Sequence, residues 1–149
     1  MEQSDKGSIS DLVRYRMETA KSDLQSANIL LREREYRGAN NRAYYAIYHA
    51  ILAVQALDGK SYKRHKDTLA NFNKDYVRTE IFPKTFGRRI ARAEEIRHAS
   101  DYDDFYVATQ EKAEEQIVTA GELIKEIEVY CQSRLKSVTA LNKSVTEKS

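Results

Sequence analysis

The chain of 149 residues contains one cysteine, one proline, five glycines and no tryptophan. The single thiol, Cys131, cannot close an intramolecular disulfide and argues against a thiolate metal centre, so a reducing compartment is the simple reading. So few glycines and prolines leave too little turn chemistry for a β-sandwich or barrel, which needs a turn about every 8–12 residues. No stretch approaches the ~18 consecutive apolar residues of a membrane span. The opening MEQSDKGSIS lacks the apolar run of a secretory signal. Neither sign of charge dominates, since 25 Lys and Arg against 23 Asp and Glu leave a net +2. The whole chain therefore carries no strong attraction for nucleic acid or an acidic membrane. Length and composition predict one cytoplasmic, helical domain with no membrane partner.

What is present is helical periodicity. From Ile9 to about Tyr36 there is no Gly or Pro, and Val13, Ala20, Leu24, Ala27 and Leu31 form one stripe at helical spacing. Arg14, Arg16, Glu18, Lys21 and Asp23 are expected to fill the other faces of this helix. The segment Ala43 to Leu57 (AYYAIYHAILAVQAL) is apolar on nearly every side, which predicts a central helix surrounded by others. Gly59 is a natural left-handed terminator for it. Leu69, Phe72, Tyr76 and Val77 suggest a short helix, and Pro83 marks a boundary. Phe86, Ile90, Ala93 and Ile96 carry a further stripe towards Ser100, after which DYDDFY predicts a break. Beyond Thr109, the positions Ala113, Ile117, Ala120, Ile124, Ile127, Cys131 and Leu135 make the cleanest seam in the chain. The expected fold is all-α: an antiparallel four-helix bundle with an additional short helix. It should occupy residues 8–136, between a flexible N-terminus at 1–7 and a disordered tail at 137–149.

The small net charge conceals a segregation. Residues 60–92 hold ten Lys or Arg against three acids, a balance of +7, whereas residues 93–128 hold three against eleven, a balance of −8. Such a division suits a phosphate-binding face. It equally suits charged helix faces that pair with one another across the bundle.

Two polar constellations stand out. In RGANNRAYYAIYHA, the residues Arg42, Tyr45 and His49 fall on one face of the most apolar helix. Burying them requires partners or a wet groove, so they are either satisfied core groups or the lining of a site. In GRRIARAEEIRHASDYDDFY, Arg97 and Asp101 are four apart, with the acid towards the helix C-terminus, where the dipole does not favour it. Asp101 should therefore serve something other than its own helix. Metal chemistry finds little support: His49, His65 and His98 are scattered, no His-x3-His or Cys-x2-Cys occurs, and the acids of DYDD lack a calcium-loop pattern. No metal and no cofactor is expected, and no nucleophile elbow or phosphate-cradling Gly-rich loop is present.

The helix AYYAIYHAILAVQALDG, the element Phe82 to Gly87 and the motif IRHASDYDDFY together resemble the HEPN family of small helical proteins. The likeness is greatest to a prokaryotic branch with a Tyr-Tyr-Ala-x-(Phe/Tyr)-His-Ala helix and an Arg-x-x-(Ala/Ser)-Asp-Tyr-Asp motif, and it runs from about Ser22 to Ile127.

The resemblance implies a four- or five-helix bundle that forms a homodimer. It also implies the toxin-like half of a toxin–antitoxin pair, partnered by a minimal nucleotidyltransferase and engaging a nucleotide or RNA. On this reading Arg97, Asp101, Tyr102, Arg42, Tyr45 and His49 line the binding groove, and Tyr102 is the acceptor if the partner transfers AMP. Catalytic members of the family are metal-independent endoribonucleases with an Arg followed, after four to six residues, by a His. Here Arg92 and His98 satisfy that spacing, whereas the motif register selects Arg97, with Tyr102 where the His would stand. An endoribonuclease using Arg92 or Arg97 with His98 is thus one alternative, and a purely structural protein-interaction module is the other.

Overall fold

The computed structural model describes the backbone of residues 2–148 and the side chains of residues 9–136. The expected flexible N-terminus at 1–7 and disordered tail at 137–149 lie outside the described side chains. Five α-helices run in order: α1 (Glu2–Arg32), α2 (Tyr36–Leu57), α3 (His65–Phe72), α4 (Thr85–Tyr102) and α5 (Gln110–Lys148). The long helices α1, α2, α4 and α5 form the four-helix bundle, and α3 is the additional short helix.

The central place of α2 follows from its composition. Thirteen of its 22 residues are buried, among them Tyr44, Ile47, Ile51 and Val54, and α1, α3, α4 and α5 all pack on it. The predicted stripes supply what it packs against: Val13, Ala20 and Ala27 from α1, joined by Met17, which lies outside the predicted stripe; Phe86, Ile90, Ala93 and Ile96 from α4; and Ala113, Ala120, Ile124, Ile127 and Cys131 from α5. Among the described residues no helix is long and apolar enough to cross a membrane.

Two boundaries teach something about local chemistry. The first helix stops at Arg32 rather than near Tyr36. Arg34 takes a left-handed conformation (φ 63°), and Glu35 N–H donates to Leu30 O at 2.8 Å, closing α1 with a turn usually built on glycine. Without a Gly at that position, the sequence offers no sign of the turn. The end of α2 does follow the expected pattern. Gly59 has φ 72°, and Lys60 N–H reaches back to Gln55 O at 2.8 Å.

The segment after α3 continues as one π-helical turn, Asn73–Val77, that buries Tyr76 and Val77. Thr109 starts α5, its Oγ1 accepting from Lys112 N–H at 3.2 Å. Between α4 and α5, Arg37 on α2 fixes the turn by donating to the carbonyls of Ser100 (2.7 Å), Asp103 (3.2 Å) and Tyr106. Part of the charge segregation resolves as pairing across the bundle, since Arg89 meets Glu122 at 2.7 Å and Arg92 meets Glu115 at 2.6 Å.

Candidate functional site

The polar groups of α2 do not act alone. Asp23 of α1, expected among the outward charges of that helix, is only 8% exposed. It sits on the buried stripe between Ala20 and Ala27, where a charge must find partners to be tolerated. It has two: Arg42 Nη1 donates to Oδ1 at 3.1 Å, and His49 Nδ1 lies 2.8 Å from Oδ2. Because a carboxylate only accepts, the hydrogen of that second bond belongs to Nδ1, which leaves Nε2 as the ring's other functional nitrogen.

From Arg42 the network continues towards α4. Arg42 Nε and Nη2 both donate to Asn41 Oδ1, at 3.1 and 3.0 Å. Asn41 Nδ2 in turn donates to Asp101 Oδ2 at 2.9 Å. This is what Asp101 serves: it fastens the end of α4 to α2. Arg97 Nη1 reaches the same carboxylate oxygen at 3.5 Å, the outer limit of a hydrogen bond. One connected polar chain therefore runs Arg97, Asp101, Asn41, Arg42, Asp23, His49, and joins three helices.

Arg97 is held mainly by aromatic faces. Its side chain is 13% exposed, with the guanidinium 4.8 Å from the Tyr44 ring centre and 6.0 Å from that of Tyr45. Its Nε is buried and unpartnered among the described residues, and so is the Tyr44 hydroxyl. Burial pushes the Tyr44 phenol well above its ordinary range, with the charge of Glu94 adding to the effect. Tyr45 is the hub of the corner. Its ring lies 5.2 Å from the Arg42 guanidinium and 6.2 Å from the rings of both His49 and His65. His65, the first residue of α3, stacks on Tyr48 at 4.1 Å. Burial and the nearby Arg97 charge lower its pKa from the ordinary 6.5.

The site residues expected from sequence thus divide. Arg42, Tyr45, His49, Arg97 and Asp101 come together. Tyr102 and His98 do not join them: their rings lie 4.9 Å apart on the outer face of α4, lining a shallow groove with Glu94, Glu95 and Asp103. Arg92 lies elsewhere again, clamped in a two-point ion pair with Glu115 of α5. Sequence reasoning missed Asp23, Asn41 and His65 as members of the corner. An acid on the Ala20–Ala27 stripe was a readable signal for Asp23, whereas nothing local distinguished His65 within its basic segment. Among the described residues no three His, Cys, Asp or Glu side chains gather as ligands for an ion.

An all-α bundle whose central helix carries a polar corner of Arg, Tyr and His is the class of protein these features define. Within that class the chain belongs to the HEPN family, whose domain model matches residues 13–130. It is 29% identical to a UPF0332 protein of Thermotoga maritima over 78% of this chain and 89% of that one. It is also 31% identical to a Methanocaldococcus jannaschii protein named a candidate toxin, over 74% of this chain and 82% of that one. The crystal structure of the Thermus thermophilus protein TT1696 shares the fold, with a TM-score of 0.67 at 21% identity, covering 78% of this chain and 95% of that one.

Proposed function

We propose that this chain is a toxin-like HEPN domain that works as a homodimer and holds the phosphate backbone of RNA at the Arg97 corner, with a minimal nucleotidyltransferase as its protein partner. The observation that carries the reading is the state of Arg97. A guanidinium is suited to phosphate by its planar fork of donors. This one is oriented by Tyr44 and Tyr45, while its only carboxylate contact among the described residues, to Asp101, is long. Tyr45, Tyr48 and His65 add ring faces beside it, a surface suited to the bases of a single strand. Lys63, Arg64 and Lys66 lie exposed around His65 and add positive charge along the same edge. The names of the Methanocaldococcus jannaschii relatives support the toxin-like character.

The test is binding of a fluorescent single-stranded RNA, measured by anisotropy in EDTA at fixed salt. Arg97→Ala should weaken binding about tenfold or more, the loss of roughly one charged contact. Arg92→Ala, remote from the corner, should leave it within about twofold. Equal binding by wild type and Arg97→Ala would remove the reading. The expected partner chemistry has its own check. Tyr102 is 68% exposed at the end of α4, open to a nucleotidyltransferase. Incubation with such an enzyme and ATP should place AMP on Tyr102, and mass spectrometry should find no adduct on Tyr102→Phe.

A further inference from the structure

We propose that the slot between α3 and α4 is a base-reading subsite that takes an unstacked adenine ring, with Asn73 as the residue that reads its edge. The inference rests on RNA being held at the Arg97 corner, and it names the base for which that strand is read.

The slot comes from how the helices meet. Among the described residues α3 and α4 each pack on α2 but not on one another, and only the π-helical turn Asn73–Val77 bridges to α4. The gap is therefore closed at that turn and open towards the corner. Its volume is about 270 Å³. Ligand pockets commonly measure about 300–1,000 Å³, so this one suits a single ring system rather than a whole nucleotide. Leu69, Phe72 and Ile90, each no more than 8% exposed, supply an apolar floor. On the α4 side the wall is Gly87 and Ala91, side chains too small to fill the gap.

Three polar side chains stand at the edge of this floor, and none has a hydrogen bond or ion pair among the described residues: Lys66, Asn73 and Glu94. Lys66 and Glu94 mark the open end. Lys66 follows His65, and Glu94 is about one helical turn before Arg97, with a charge that bears on both Tyr44 and His65. Asn73 and Gly87 lie about two turns further in, roughly 10 Å along their helices. There the Asn73 amide fits because position 87 has no side chain: a Cβ on Gly87 would come within 2.8 Å of Asn73 Oδ1. Asn73 also opens the π-helical turn, its carbonyl accepting from Arg78 N–H at 2.9 Å. Wide turns of this kind are frequent at functional positions.

The chemistry of these groups selects the ligand. A side-chain amide offers one acceptor and one donor side by side, which match the amino group of adenine and its neighbouring ring nitrogen. Guanine presents two acceptors, O6 and N7, on that same edge, and a single amide donor meets only one of them. Uracil and cytosine would leave their O2 carbonyl over the apolar floor with no donor, which costs affinity. At the mouth, Glu94 can only accept and so suits a ribose hydroxyl, whereas Lys66 can only donate and so suits a phosphate.

The experiment uses the full chain in EDTA at fixed salt, with four short oligouridine strands that differ only in one central base: A, G, C or U. By anisotropy the A strand should bind about tenfold more tightly than the others, the discrimination of one bidentate amide–base pair. Asn73→Ala should bring the A strand to the level of the U strand, leaving the U strand within about twofold of wild type. Gly87→Ala should do the same, because the new methyl displaces the amide. Its melting temperature should not fall, since Ala is the better helix former, and this separates a lost contact from a lost fold. A central 2′-deoxyadenosine should bind wild type more weakly than adenosine does, and the two should bind Glu94→Ala equally. Free AMP that displaces the A strand would assign the slot to mononucleotides, and AMP that fails to do so would assign it to a base within a strand; adenine is the ligand in either case. Equal affinity for the four strands, preference for another base, or an A preference that survives Asn73→Ala would overturn the inference and leave the proposed function standing. Absence of binding by every strand would overturn both.

Discussion

Asp23 Oδ2 stands 2.8 Å from His49 Nδ1 while its other oxygen takes the Arg42 guanidinium at 3.1 Å, so one carboxylate on α1 holds a guanidinium and an imidazole of α2 in place. Deleting it would leave the Arg42 guanidinium without its counter-charge and His49 Nδ1–H without its acceptor. Arg42 is more than a third exposed, which weakens the cost relative to a fully buried pair. Asp23→Ala should therefore lose about 2 kcal/mol of stability in urea melts, and Asp23→Asn less, because the amide oxygen still accepts. A loss below about 0.5 kcal/mol for Asp23→Ala would show that the pairing contributes little.

His65 should make stability depend on pH. Its folded pKa is depressed below 6.5, so the folded chain binds this proton less readily than the unfolded one. The contribution is complete above pH 6.5 and is lost as pH falls through the lowered folded value. Denaturation at about pH 7.5 and pH 5 should show a smaller acid-side loss for His65→Gln than for wild type. Parallel curves would contradict the depressed value.

Arg37 bonds to three carbonyls of the turn between α4 and α5, at Ser100, Asp103 and Tyr106. Arg37→Ala should cost about 1–2 kcal/mol. It should also speed amide exchange across residues 100–106, because the last turn of α4 loses its tie to α2. Since Asp101 lies in that turn, RNA binding should weaken as well.

Phe105 is 95% exposed and Val107 75%, an apolar tip beside the outer groove of α4. If the homodimer uses this tip, replacing both with Ser should change monomer stability by less than about 0.5 kcal/mol yet abolish association. Light scattering should report twice the 17.2 kDa chain mass for wild type and the single mass for the variant. Twice that mass for both would place the contact elsewhere, and the single mass for both would remove the proposed dimer.

Cys131 is 3% exposed on the inner seam of α5, and burial pushes its thiol up to about 12. The folded chain should not react with a disulfide reagent near neutral pH, whereas one equivalent should react once urea unfolds it. Fast labelling of the folded protein would show that the seam opens.

What the sequence determined was the set of helices and their inward faces. Periodicity marked the stripes of α1, α4 and α5. The nearly unbroken apolar character of Ala43 to Leu57 required a surrounded α2, and Gly59 marked its end. These follow from local spacing, because a helix repeats every 3.6 residues whatever its neighbours do. The shared face of Arg42, Tyr45 and His49 was readable for the same reason.

Only the tertiary structure decided what that face meets. Asp23, His65 and Arg97 belong to α1, α3 and α4, and their meeting at Tyr45 and Arg42 depends on how each helix is rotated and docked against α2. The same docking separates neighbours in sequence: Arg97 turns in against Tyr44, while His98, one residue on and about 100° around the helix, turns out towards Tyr102. Helical spacing fixes which residues share a face, but the partner of that face is set by packing among distant segments.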